Sequence, residues 1–164
     1  MGESMDFMNE ALKEALIAYK KGDVPVGCVI VKDGVIIGRG HNEKESSNDA
    51  TSHGEINAIK EACKNLNSWY LVDCDMYVNL EPCAMCAGAI IMSRIRKVYI
   101  GAENLRTGAC GSVLNLLNME EFNHKSEVEF VNDKLSSYIV SRFFRNLRRK
   151  SNDTKKANKE EKEA

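Results

Sequence analysis

Two short segments of the chain carry the residue types that hold a catalytic metal ion. Residues 53–55 read His-Gly-Glu, and residues 82–86 read Pro-Cys-Ala-Met-Cys. One imidazole and two thiolates are good ligands for zinc, and three protein ligands leave the fourth position of a tetrahedral site open to water, as a catalytic zinc requires. The pattern therefore predicts a zinc site with His53, Cys83 and Cys86 as its ligands.

The spacing around these ligands predicts hydrolytic chemistry. Glu55 lies two residues after His53, where its carboxylate can act on a water molecule rather than on the metal. Cys83 and Cys86 share one face if a helix begins at Pro82, and the N–H groups of that first turn stabilise thiolates. His-x-Glu combined with Pro-Cys-x-x-Cys is the known signature of zinc-dependent nucleobase deaminases. We therefore expect Glu55 to shuttle protons at the site.

The six cysteines also allow a second arrangement. Cys63, Cys74, Cys83 and Cys86 together make a closed set of four thiolates, which is typical of a structural zinc site. A closed site has no open position on which a neighbouring carboxylate could act, so Glu55 argues against it. Replacing Cys63 and Cys74 separates the two arrangements, because only the closed site loses its zinc.

Composition indicates one domain. A chain of 164 residues that is 43% hydrophobic is long enough for one well-cored domain and short for two. We expect residues 1–150 to form a single zinc-dependent deaminase domain and residues 151–164, which mix lysines with acids, to be a disordered tail. No apolar run approaches the ~18 residues of a membrane span, and six cysteines without a leader fit a reducing compartment. These features favour a cytoplasmic protein without membrane contact.

Local charge differs from the overall charge near the C-terminus. The formal net charge of −1 gives no sign of a nucleic-acid partner. Residues 135–150, however, carry five cations and no acid, and apolar residues recur there every four positions. The cations are Arg142, Arg145, Arg148, Arg149 and Lys150, and the apolar residues are Leu135, Ile139, Phe143 and Leu147. This pattern predicts an amphipathic helix whose basic side either binds phosphates or complements the helix dipole.

Hydrophobic periodicity and turn residues predict alternating helices and strands. The Asp-Gly pair at 33–34 indicates a hairpin, residues 42–52 read as a polar loop, and a short helical piece is expected near 113–117. Helices are predicted at 5–21, 53–65, 83–94 and 135–150, and strands at 26–32, 35–41, 76–80, 97–101 and 128–131. The fold class is therefore α/β, a three-layer α/β/α sandwich around a mixed sheet of about five strands.

Longer motifs resemble one family within the cytidine deaminase superfamily. The stretch Leu-Glu-Pro-Cys-Ala-Met-Cys-Ala-Gly-Ala at 80–89 and Phe-Phe-Arg at 143–145 are similar to those of bacterial tRNA-specific adenosine deaminases. The resemblance implies a cytidine deaminase-like fold and conversion of adenosine to inosine at the wobble position of a tRNA anticodon. It also implies one Zn²⁺ per subunit and a homodimer whose interface completes each RNA site.

The resemblance also assigns site residues. It implies that His53, Cys83 and Cys86 hold zinc, that Glu55 shuttles protons and that Asn42 hydrogen-bonds the target nucleoside. Candidates for stacking on the anticodon loop and neutralising it are Phe144, Arg145 and Arg149.

Two alternatives stay open at this point. A deaminase of free guanine or of a nucleoside would use the same fold and zinc chemistry, but it would not require the basic Phe-Phe-Arg helix. A non-catalytic zinc or RNA-binding module would not require Glu55 beside an open coordination position.

Overall fold

The chain folds around a five-stranded mixed sheet, seen in a computed structural model that describes the backbone of residues 2–163 and the side chains of residues 6–157. Its helices are α1 (Gly2–Lys21), α2 (Lys44–Ser47), α3 (Gly54–Leu66), α4 (Ala84–Ser93) and α5 (Lys134–Glu163). Its strands are β1 (Gly27–Lys32), β2 (Val35–His41), β3 (Cys74–Leu80), β4 (Lys97–Ala102) and β5 (Glu127–Phe130). A 3₁₀ turn spans Leu116–Asn118.

The strands lie in the order β2-β1-β3-β4-β5. β1 pairs antiparallel with both β2 and β3, whereas β3, β4 and β5 run parallel to one another. Parallel strands need a crossover connection, which α4 supplies between β3 and β4. The C-terminal end of β3 and the N-terminal end of α4 therefore lie together, at the carboxyl end of the parallel strands.

Helices cover both faces of the sheet, and β1 shows how the sequence divides between them. Cys28 and Ile30 pack into a core shared with α3 and α4, whereas Val29 and Val31 pack with α1 on the opposite face. This alternation follows from the two-residue period of a strand. Helix α5 contacts β3, β4 and α1 on the α1 side. The predicted α/β sandwich with a mixed sheet is confirmed.

Two glycines of β2 bring α3 unusually close to the sheet. A Cβ atom at Gly38 would collide with the carbonyl oxygen of Ala58, and one at Gly40 would collide with that of Gly54. Only glycine leaves room for the helix backbone at such a distance. The N-terminal end of α3, with His53 as its N-cap, is thereby held against the end of β2.

Several boundaries differ from the predictions. Helix α2 lies within the predicted polar loop, β3 begins two residues earlier than expected, and the short helical piece lies at Leu116–Asn118. Helix α5 continues through the segment predicted to be a disordered tail and reaches Glu163. That segment has no proline or glycine and is rich in Lys, Glu and Ala, so helix propensity favours its continuation even though residues 151–157 are exposed.

Across residues 2–163, every helix is either too short or too polar to cross a membrane.

Candidate active site

The three predicted metal ligands meet where α3 and α4 begin. The Nδ1 atom of His53 lies 3.7 Å from the Sγ atom of Cys83 and 3.5 Å from that of Cys86. All three ligand atoms lie within 4.8 Å of one another. His53 and Cys83 are the N-cap residues of their helices, and Cys86 lies one turn into α4. Two helix N-termini therefore point their positive dipole ends at this cluster.

The alternative four-cysteine site is wrong. The Sγ atom of Cys63 lies 3.8 Å from the carbonyl oxygen of Trp69, and that of Cys74 lies 3.7 Å from the carbonyl oxygen of Val72. Both cysteines therefore contact the connection between α3 and β3, away from the cluster. Within the side chains that the structure describes, His53, Cys83 and Cys86 are the one group of three that could share a metal ion.

Proton sharing within the cluster favours a thiolate. A hydrogen bond from the Cys86 thiol, with a second from His53, lowers the pKa of Cys83 to about 3. The same Cys83 sulfur raises the pKa of Cys86 well above its ordinary value, with burial adding to the effect. The hydrogen bond to Cys83 also raises the pKa of His53. The three ligand atoms are therefore close enough to share protons with one another. A bound cation would take the place of these protons.

Glu55 lies beside the cluster in the first turn of α3. Its side chain is buried, and its Oε2 atom is a buried polar atom without a hydrogen-bond partner among the described side chains. Burial raises the pKa of Glu55 to about 7, and the Cys83 thiolate adds to the rise. Buried polar atoms are almost always satisfied, so a free carboxylate oxygen here indicates a place for a polar ligand. Glu55 can both accept and release a proton near neutral pH.

A cavity of about 480 Å³ opens over Glu55 and the ligand cluster. This volume is within the range of small-molecule sites. Two stretches of the chain that line this cavity are named here: Lys44 and Glu45 form the α2 rim, and residues 104–107 form the loop rim. The remaining lining residues are Val24, Val26, Asn42, His53, Glu55, Leu80, Glu81, Cys83, Glu103, Val140 and Phe144.

Asn42 lies in this lining with its amide already oriented. Its Oδ1 atom accepts a hydrogen bond of 3.2 Å from the Lys44 backbone N–H, and its Nδ2 atom donates one of 3.3 Å to the Val24 carbonyl oxygen. These contacts occupy one amide proton and one oxygen lone pair, so one donor and one acceptor position stay available. Asn42 can therefore make a pair of directed hydrogen bonds to a ligand in the cavity.

The three predicted RNA-contacting residues of α5 do not converge on one place. Phe144 lines the cavity, whereas Arg149 lines a separate surface pocket with Tyr19 and Phe143. Arg145 is exposed and lies outside the cavity lining. Phe143 packs edge-on against Tyr19, with ring centroids 5.9 Å apart, as expected of a core-facing residue.

Sequence reasoning missed the residues that make the two rims. Lys44 and Glu45 lie in a segment predicted to be a loop, and Arg106 lies in a stretch for which neither a helix nor a strand is predicted. Glu81 was noted only as part of a longer motif. Its position directly before Pro82 was a signal that could have identified it, because a carboxylate there is unusual at the end of a buried strand.

The family model that matches this chain is a model of deaminases, and the known proteins to which the chain is similar are deaminases. The family model for MafB19-like deaminases matches residues 3–148. A tRNA-specific adenosine deaminase of Bacillus subtilis (strain 168) is 45% identical over 151 residues, covering 92% of this chain and 94% of that protein. A structure solved in studies of A-to-I editing by tRNA:A34 deaminases at the wobble position of transfer RNA has a TM-score of 0.79 and 39% identity, covering 82% of this chain and 99% of that chain. A guanine deaminase structure from Bacillus subtilis has a TM-score of 0.59 and 34% identity, covering 84% of this chain and 92% of that chain.

Proposed function

The chain belongs to the MafB19-like deaminase family and, within it, to the tRNA-specific adenosine deaminases, and from this premise we propose that it deaminates adenosine to inosine at the wobble position of a tRNA anticodon. The observation that carries the proposal is the unpartnered, buried Glu55 carboxylate oxygen beside the cluster of His53, Cys83 and Cys86. We propose that the catalytic domain of the protein spans residues 1–150 and that the protein acts in the cytoplasm, where tRNA is available.

The donor set fits one zinc ion per subunit. One imidazole nitrogen and two sulfurs are ligands that zinc prefers, and the free Glu55 oxygen leaves a polar position beside them. His53, Cys83 and Cys86 would hold the ion. When bound, zinc would act as a Lewis acid and would lower the pKa of a water molecule toward ~7.

Glu55 moves the protons of the reaction. It accepts a proton from the attacking water, whose oxygen forms a bond with C6 of adenine, and it delivers that proton to N1. It then transfers the remaining hydroxyl proton to the exocyclic amine, the C6–N6 bond breaks, and ammonia leaves. Adenosine and water thus become inosine and ammonia. A carboxyl group with a pKa of about 7 is suited to both transfers near neutral pH.

The cavity suits a base that has left its stack. Asn42 presents one free donor and one free acceptor to the nucleoside, and Phe144 offers an aromatic face at the cavity wall. Unstacking costs least in a single-stranded loop, which favours an anticodon loop over a duplex. Arg145 and Arg149 are exposed one helical turn apart on α5, and we assign them to phosphates of that loop.

The proposal is tested by inosine formation in an anticodon stem-loop with a wobble adenosine. We expect inosine in this RNA. We expect no deamination of free adenosine, cytidine or guanine offered as competitors. A matched stem-loop with its adenosine moved one nucleotide away from the wobble position is the control, and we expect it to stay unmodified. Ammonia released from free guanine or a nucleoside would contradict the proposal and assign the chain to small-molecule deamination.

Helix α4 supports a homodimer. Its ten residues carry no charge, and Met92 is 71% exposed while Met85 is 36% exposed. Gly88 lies between them on the helix with open space beyond its Cα atom. An uncharged, partly exposed helix face with a glycine that permits close approach is typical of a subunit interface. We propose that two copies pack through α4 and that the partner completes each RNA site.

A charged residue in this interface is expected to separate the subunits. Met92→Glu would bury an unpaired carboxylate in each copy, which an apolar interface does not tolerate. Light scattering after gel filtration should show a monomer, and deamination of the stem-loop should fall. Val35→Glu, at a residue that is 61% exposed in the β1–β2 hairpin, is the matched control and should leave the dimer intact. A dimeric Met92→Glu variant would place the interface elsewhere.

A further inference from the structure

The α2 rim of the cavity is fastened by Asp23, a fully buried carboxylate that follows α1. Its Oδ1 atom accepts a hydrogen bond of 2.7 Å from the backbone N–H of Glu45, and its Oδ2 atom accepts one of 3.3 Å from that of Ser46. Asp23 is not part of the cavity lining. Its carboxylate therefore acts on the backbone that carries Lys44 and Glu45.

The loop rim is fastened by Glu81, a second buried carboxylate, which is 2% exposed. Its Oε2 atom accepts a hydrogen bond of 3.0 Å from the Asn104 backbone N–H. Its Oε1 atom accepts two more, each of 3.0 Å, from the backbone N–H groups of Cys110 and Ser112. Gly108 lies directly beside this carboxylate, and a Cβ atom there would collide with it. Glu81 thus binds the backbone at both ends of the loop, at Asn104 and at Cys110 and Ser112, close to the start of α4.

Both attachments are strong for the same physical reason. A carboxylate only accepts hydrogen bonds, and bonds to a charged acceptor are shorter and stronger than those between neutral groups. Burial removes the competing water, and losing the acceptor leaves buried N–H groups unpaired. Both rims line the cavity that is assigned to the target nucleotide. Fixing both rims holds this part of the cavity in one shape before RNA arrives, which lowers the ordering cost of binding.

We propose that Asp23 and Glu81 are positioning residues that fix the two rims and thereby set the affinity of the site for the nucleotides flanking the target adenosine. This inference rests on the proposed function, because it assigns the rims to RNA. Neither carboxylate performs a chemical step. Their loss should therefore act on binding of the stem-loop and leave the chemistry intact.

Near-isosteric amide variants test this. In Asp23→Asn or Glu81→Gln, an NH₂ group replaces one acceptor oxygen, so at least one of the backbone N–H groups that the carboxylate binds faces another donor. In each variant of the full zinc-loaded chain, we expect KM for the anticodon stem-loop to rise roughly tenfold while kcat stays within about threefold of the wild-type value. Amide hydrogen exchange should quicken at Glu45 or Ser46 in Asp23→Asn, and at Asn104, Cys110 or Ser112 in Glu81→Gln, with zinc content unchanged.

Asp75→Asn is the matched control. Asp75 lies at the other end of β3 from Glu81, where its carboxylate pairs with Arg96 at 2.9 Å. We expect this variant to leave KM, kcat and exchange at both rims unchanged. If Glu81→Gln fails to fold, Asp23→Asn decides the question by itself.

Two results would overturn the proposal. One is unchanged KM and unchanged rim exchange in a folded variant. The other is loss of zinc with faster exchange throughout the chain, which would assign these carboxylates to general stability. Failure of the proposed function is separable, because the wild-type chain would then form no inosine in RNA while the exchange experiment would still report whether each carboxylate holds its rim.

Discussion

Replacing Glu55 by Ala is expected to lower kcat for inosine formation by ~10²- to 10⁴-fold, the usual contribution of a general acid–base residue. The physical reason is that Glu55 is the buried titratable group next to the ligand cluster, with a free oxygen and a pKa of about 7. Without it, proton transfers to N1 and to the departing amine depend on water. Single-turnover measurements with the enzyme in saturating excess over the stem-loop would report this loss without a contribution from binding.

Zinc content and RNA affinity are the controls for the Glu55 variant. Both should stay near the wild-type level, because Glu55 is assigned neither to the metal nor to the phosphates. Glu55→Gln keeps the size of the side chain but cannot accept a proton, so it should be as inactive as Glu55→Ala. If either variant retained turnover within about threefold of wild type, the assignment of Glu55 as proton shuttle would be wrong.

Replacing Cys86 by Ser is expected to remove zinc and, with it, deamination. A hydroxyl group is a poor replacement for a thiolate, and the two ligands left would be His53 and Cys83. The loss of affinity should exceed the ~10- to 100-fold that loss of an outer-shell partner typically costs. Metal analysis of the purified variant, followed by the stem-loop assay with added zinc, would measure both effects.

Cys63→Ser is the matched cysteine control. Cys63 lies on α3 with its sulfur near the Trp69 carbonyl oxygen, away from the cluster. We expect this variant to keep its full zinc content and its activity. Zinc retained by Cys86→Ser together with zinc lost by Cys63→Ser would contradict the ligand assignment.

Sequence reasoning predicted most of the fold because the layers have clear periodicities. The apolar run of residues 28–31 indicates a strand, and the structure places Cys28 and Ile30 on one face of the sheet and Val29 and Val31 on the other. It was less successful at α2, a four-residue helix with no buried residue and therefore no periodic signal. The charged composition after Lys150 predicts a disordered tail, whereas the helix propensity of the same residues favours the continuation of α5 that the structure has.

The amino-acid sequence by itself identified the candidate residues of the site. His53, Glu55, Cys83 and Cys86 were recognisable because ligand type and short spacing are local properties, and local spacing survives in the folded chain. Only the tertiary structure decided which cysteines stand apart, since nothing in the sequence positions of Cys63 and Cys74 excludes them as zinc ligands. It also decided the shape of the cavity. Asp23 and Glu81 reach backbone N–H groups more than twenty residues away, and such pairing depends on strand order and helix packing, which leave no local mark in the sequence.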